Sequence, residues 1–214
     1  MPLKREIVLE WVLKNYYSDS DCTINELESF YYDFLEENGV SGNERLRFPS
    51  HHAFEARLID YTYCILKYGK RVRYYDIDAL DMESFVKTLN LGRYDGTEIS
   101  TLKIFVDNAE YFEELDIRDE YELHNILRKK STYLSPWNVT IARMPFISIG
   151  QAGRFKQVRE LLYQMTPISK DDLAMEYEVR YGVKKETVLA NFFGEIDVYL
   201  SNGIFDVAQP ELSL

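Results

Sequence analysis

Two tetrapeptides constrain this chain more than any other feature. Thr23-Ile24-Asn25-Glu26 and Ser169-Lys170-Asp171-Asp172 each set a hydroxyl residue three positions ahead of a carboxylate. At a helix start, that hydroxyl accepts a hydrogen bond from an otherwise unpaired backbone amide, and the acidic residue can reach back to the cap. Both following helices have the same stop, Asn38-Gly39-Val40 and Tyr181-Gly182-Val183. Glycine enters the left-handed C-terminal conformation at little cost. Each capped helix is preceded by a segment with helical apolar spacing and followed by another helix and a β-rich pair. The two ends therefore share an order of elements, although their residue identity is low.

The first copy spans residues 1–80. Ile7, Val8, Trp11 and Val12 share one face of a helix over residues 4–17. The capped helix runs from about 24 to 37, with Leu27, Phe30, Tyr31, Phe34 and Leu35 inward. After a loop, Phe48-Pro49-Ser50 leads into a third helix at about 51–62. The run from Tyr63 to Tyr75 is β-branched and aromatic around Tyr68-Gly69, which reads as a hairpin.

The last copy spans residues 151–214. It has a helix at about 154–164, the extended link Thr166-Pro167-Ile168, the capped helix, and a third helix at about 184–195. Asn202-Gly203 between apolar runs then reads as a hairpin turn. The competing reading continues the third helix to Leu200 and makes Asn202-Gly203 its cap. The middle segment, residues 81–150, is a degraded version of the same order. It has short helices starting at Asp81, Ser100 and Asp119 and an extended arm over 139–149, with Pro145 at an edge or bend. It is either a helical connector or a third, divergent copy. The fold class expected is mainly α with small β-hairpins, arranged as tandem units.

Helix, capped helix, helix, hairpin is the order in which this chain resembles winged-helix domains, a helix-turn-helix variant with a β-hairpin appended. The resemblance covers most of the chain and names no specific family. It implies that the third helix of a unit approaches a DNA groove and that the hairpin, the wing, contacts phosphates. In the first unit, Arg45, Arg47, His51, His52 and Arg57 lie in or just before the third helix, and Lys67, Lys70, Arg71 and Arg73 lie in the hairpin. Tyr68, Tyr74 and Tyr75 interleave with those charges. The same cations would also protect a solvated strand edge from aggregation.

Charge limits that reading. The chain carries 25 Lys and Arg against 36 Asp and Glu, a net charge of −11, and no third of it is basic overall. Indiscriminate coating of DNA is thereby disfavoured, while a local contact surface is not. The densest acidic stretch, from Glu110 to Glu122, reads as a solvated face. Arg128-Lys129-Lys130 closes a helix whose dipole favours cations there. Lys184-Lys185 opens a helix, where the dipole does not.

No Gly-rich phosphate loop, nucleophile elbow or zinc-ligand spacing is present, so no catalytic residue, cofactor or metal site is assigned. In His51-His52-Ala53-Phe54-Glu55, Glu55 can face either histidine, and a metal there would need His124 or Asp60 as well; a solvated helix start explains the same residues. Cys22 and Cys64 read as reduced thiols of a cytoplasmic protein. No stretch suits a membrane helix, and Met1-Pro2-Leu3-Lys4-Arg5 meets charge too early for a signal peptide. The 209–214 tail lacks a closing element, as a fragment would.

The leading expectation is therefore a non-enzymatic nucleic-acid-associated or transcription-regulatory protein, with double-stranded DNA held by the first unit. The alternative is a protein-interaction or assembly module, self-association included, with Tyr and Phe as anchors. An enzyme without a recognisable motif is the remaining reading.

Overall fold

The computed structural model describes residues 3–207; the readings made on Met1, Pro2 and the 209–214 tail lie outside the described residues. The expected class holds: the chain is mainly helical, with three small antiparallel sheets.

The first sheet shows how a short link becomes structural. Helix α1 (Arg5–Tyr16) leads through strand β1 (Cys22–Thr23) into α2 (Ile24–Glu37). The capping box closes in both directions. The Thr23 amide donates to Glu26 Oε2 at 2.7 Å, and the Glu26 amide donates to Thr23 Oγ1 at 3.2 Å. Helix α3 (His51–Asp60) starts on Ser50, whose Oγ accepts from the Ala53 amide at 3.2 Å. Strands β2 (Cys64–Lys67) and β3 (Arg71–Tyr74) form the expected hairpin, and β1 pairs with the far side of β3. Two-residue β1 carries too little pattern to be read from sequence.

Beneath this sheet, Val8, Leu9, Val12 and Leu13 pack with Leu27, Tyr31, Leu35, Phe54 and Leu58. This corrects the face expected for α1. Val8 and Val12 point inward as expected, but Ile7 is 45% exposed and Trp11 46% exposed. The helix carries two adjacent apolar stripes, and periodicity alone does not say which one the core takes.

The middle sheet joins β4 (Glu98–Ser100), β5 (Val139–Ile141) and β6 (Phe146–Ile149), after α4 (Met82–Leu89). The single helix expected from Ser100 to about Leu115 is two, α5 (Thr101–Asp107) and α6 (Ala109–Glu114). The break is at Asn108, whose side-chain amide donates back to the Ile104 carbonyl at 2.7 Å. Helix α7 (Glu120–Lys129) follows, and the extended arm is a hairpin turning through Pro145.

The last sheet joins β7 (Ile168–Ser169), β8 (Leu200–Ser201) and β9 (Ile204–Phe205) around helices α8 (Arg154–Met165), α9 (Lys170–Tyr181) and α10 (Lys185–Asn191). The hairpin reading of Asn202-Gly203 is the one realised; both residues have positive φ, 51° and 81°, as a tight two-residue turn requires. In all three sheets the strand that comes third in sequence is central, in the order first-third-second.

Packing gathers the chain into two compact units. One comprises the chain up to Phe85 together with Tyr121–Ser131; the other comprises Val86–Glu120 together with the chain from Thr132 on. Most of α7 thus belongs with the first sheet, a long-range placement that local periodicity does not carry.

Candidate functional site in the third helix and hairpin of the first unit

Strand alternation decides where the hairpin cations go. On β3, Val72 and Tyr74 face the core under α1 and α2, which leaves Arg71 and Arg73 on the opposite face. In an isolated hairpin that face would meet solvent. Here α7 covers part of it. The Leu66 amide donates to Asn125 Oδ1 of α7 at 3.0 Å, and Tyr68 packs on Tyr121 with ring centroids 5.2 Å apart.

Arg73 is therefore enclosed, with its side chain 1% exposed, against Glu122, which is 0% exposed. Two parallel bonds join them: Nε donates to Oε1 at 2.8 Å and Nη2 donates to Oε2 at 2.9 Å. This corrects two expectations. Arg73 points into protein and offers no surface for a phosphate. Glu122 belongs to no solvated face; it is the buried counter-ion. Lys67 lies 3.6 Å from the same carboxylate and 3.4 Å from Asp21.

The exposed cations of the hairpin are also paired. Arg71 Nη2 donates to Asp21 Oδ1 at 2.8 Å, and this bond holds the Asp21 carboxyl below its ordinary range. Lys70, at the turn, is 72% exposed and donates to Glu55 Oε1 at 2.6 Å. That bond lowers the Glu55 carboxyl in turn. On α3, His51 bonds Glu28 and lies 3.4 Å from Glu55; the Glu28 bond raises its imidazole above the ordinary value. The His51–Glu55 juxtaposition seen in sequence is thus an ion-pair cluster. Among the described residues, no group of three or more His, Cys, Asp or Glu is placed to hold a metal ion.

The remaining candidates lie outside the hairpin. Arg57 pairs loosely with Asp60 at 3.6 Å, and His52 is exposed. Arg47 covers the Tyr32 ring, 5.7 Å from its centroid. Arg45 is exposed on the turn before α3, and its carbonyl accepts from Arg5 Nε at 2.9 Å. Of the nine sequence candidates, His51, Arg57, Lys67, Lys70, Arg71 and Arg73 contact carboxylates of the chain itself.

Lys129 shows the same pattern of internal use. It lies in the last turn of α7, as expected, and its ammonium donates to the carbonyls of Leu58, at 2.9 Å, and Tyr61. It thereby satisfies backbone at the end of α3, and burial lowers its pKa. The thiols are both buried and unbridged, and burial pushes Cys22 up to about 12, far from a reactive thiolate.

Two features were missed in sequence, and both sit at α1. A cleft of about 500 Å³ is lined by Lys4, Arg5, Glu6, Arg45 and Arg57 with Phe48 and Tyr61. Next to it, a groove of about 240 Å³ runs between α1 and the end of α2, lined by Ile7, Trp11, Phe34 and Val40. Leu3 lines both. The i, i+4, i+8 spacing of Leu3, Ile7 and Trp11 was the available signal, but it reads equally as a core face. Among the described residues, no helix is long and apolar enough to cross a membrane. Comparison with protein-family models, with curated proteins and with solved structures finds no match.

Proposed function

We propose that this chain is a non-enzymatic protein-interaction module built from tandem winged-helix-like units. The observation that carries the reading is the pairing of the hairpin cations. Lys67, Lys70, Arg71 and Arg73 all contact carboxylates of the chain itself. A DNA-binding wing gains affinity by neutralising phosphates and releasing their counter-ions. Cations already neutralised within the protein have little of that gain left to make. An exposed apolar stripe on α1 supplies instead the kind of surface that protein partners bury.

The winged-helix likeness rests on the order helix, strand, helix, helix, hairpin and on the shared first-third-second strand order. Such a fold does not by itself choose between nucleic acid and protein. A cytoplasmic location fits the two buried thiols, which persist unbridged where the redox poise is reducing.

The test is a mobility-shift titration with mixed-sequence duplex DNA across salt concentrations, run beside light scattering of the chain alone. The expected result is no saturable, salt-sensitive DNA complex. Binding that weakens steeply with salt and is lost in Lys70→Ala and Arg71→Ala would restore the nucleic-acid reading and overturn this one.

A further inference from the structure

We infer that the α1–α2 groove of the first unit takes an acidic amphipathic peptide segment of a partner protein, with its apolar residues on Trp11 and its carboxylates in the adjoining cationic cleft. The inference rests on the protein-interaction reading and deepens it by naming the surface and the chemistry of the partner.

The groove is apolar and exposed. Ile7 and Trp11 lie one turn apart on α1 at 45% and 46% exposure, Leu3 precedes the helix at 43%, and Trp11 stands against Phe34 of α2 with ring centroids 5.0 Å apart. An apolar groove lined by Leu3, Ile7, Trp11, Phe34 and Val40 is the kind of surface that takes the apolar face of an amphipathic helix. A stripe of this kind in water is unfavourable unless something covers it.

Charge selects the occupant. The apolar groove shares Leu3 with the cleft lined by Lys4, Arg5, Arg45 and Arg57, with Glu6 the one carboxylate among that cleft's lining residues. Among the described residues, Lys4, Arg5 and Arg45 are placed in no ion pair, unlike the hairpin cations, and Arg57 has only the loose contact with Asp60. Lys4 also stands at the start of α1, where the helix dipole adds to the attraction for anions. In a chain of net charge −11, this is a local positive field beside an apolar groove. A basic or neutral segment would gain the apolar contact alone. A nucleic acid would meet the cations but would leave the Trp11 groove uncovered.

The experiment pans a random 16-residue peptide library displayed on phage against the intact chain and measures the enriched peptides by fluorescence anisotropy. Enriched peptides are expected to carry net negative charge with apolar residues three or four apart. Their affinity should fall at least tenfold in Ile7→Asp and again in the milder Ile7→Ser. Lys4→Glu with Arg45→Glu should weaken binding severalfold and flatten its salt dependence. Lys4, Ile7 and Arg45 are all exposed, and circular dichroism checks that the variants fold. Acidic peptides indifferent to Ile7, or enriched peptides without acidic bias, would overturn the inference while leaving an interaction module standing. A dimer by light scattering that Ile7→Asp dissociates would overturn it in favour of a second copy as occupant. Enrichment of nothing, together with salt-sensitive duplex binding, would defeat the inference and the underlying reading together.

Discussion

Replacing Arg73 by Met removes one partner of an ion pair whose side chains are 1% and 0% exposed. The Glu122 carboxylate would stay enclosed between α7 and the hairpin, with Lys67 3.6 Å away. Leaving one member of a buried pair alone costs about 3–5 kcal/mol, because the charge has lost its solvent and its counter-ion together. The remaining lysine, partly exposed and more distant, places the expected loss near the lower end, about 3 kcal/mol. Replacing both residues, Arg73→Met with Glu122→Leu, removes the stranded charge and should recover most of that loss, since apolar substitutes for buried pairs are often neutral or stabilising. Trp11 and Trp137 are the only tryptophans, and Trp11 lies in the first unit. Urea titration followed by Trp11 fluorescence in a Trp137→Phe background therefore reports on the unit that holds the pair. A loss below about 1 kcal/mol for Arg73→Met, the range of an exposed pair, would refute the enclosed geometry and return Arg73 to the surface.

Further outcomes follow from local geometry. Gly182→Ala should cost at least about 1–2 kcal/mol for an L-residue held left-handed, at φ 69° with a Cβ that would meet the Lys103 amide nitrogen at 2.7 Å; Gly39→Ala, at φ 65° with open space around it, should cost less in the same thermal-melt comparison. Thr23→Ala removes the hydroxyl of the capping box and should cost about 1 kcal/mol by urea unfolding. Phe54→Ala, in a ring cluster with Phe48 at 4.9 Å and Tyr31 at 6.1 Å, should cost about 3–5 kcal/mol. His51 titrates above its ordinary value because of Glu28, so its contribution to stability is full below the unfolded value and disappears as pH rises through the folded one. NMR titration of the imidazole should show the upward shift in the native chain and its loss in Glu28→Gln.

Local chemistry was legible in the sequence where it is self-contained. The Thr23 and Ser169 caps, the Gly182 stop and the Asn202-Gly203 turn all involve residues within a few positions of one another, and each occurs where its residues predict. What was not legible depends on distant packing. The burial of Arg73 needs α7, whose Glu122 lies 49 residues further along the chain. The outward turn of Ile7 and Trp11 needs the position of α2, because two neighbouring apolar stripes satisfy the same helical period. The clustering of cations in the hairpin was visible in the sequence, while their partners, supplied by Asp21, Glu28, Glu55 and Glu122, could be found only in the fold. The groove remained hidden for the same reason: an exposed stripe and a core stripe are written with the same residues.

The most direct measurement is amide chemical-shift mapping of the isotopically labelled chain, titrated in parallel with an enriched acidic peptide and with duplex DNA at the same salt concentration. The peptide is expected to perturb residues 3–11, 34–40 and 45, and the duplex to leave residues 51–60 and 67–74 unmoved. Saturable perturbation of 51–60 and 67–74 by the duplex, with the α1–α2 groove silent toward the peptide, would contradict both expectations.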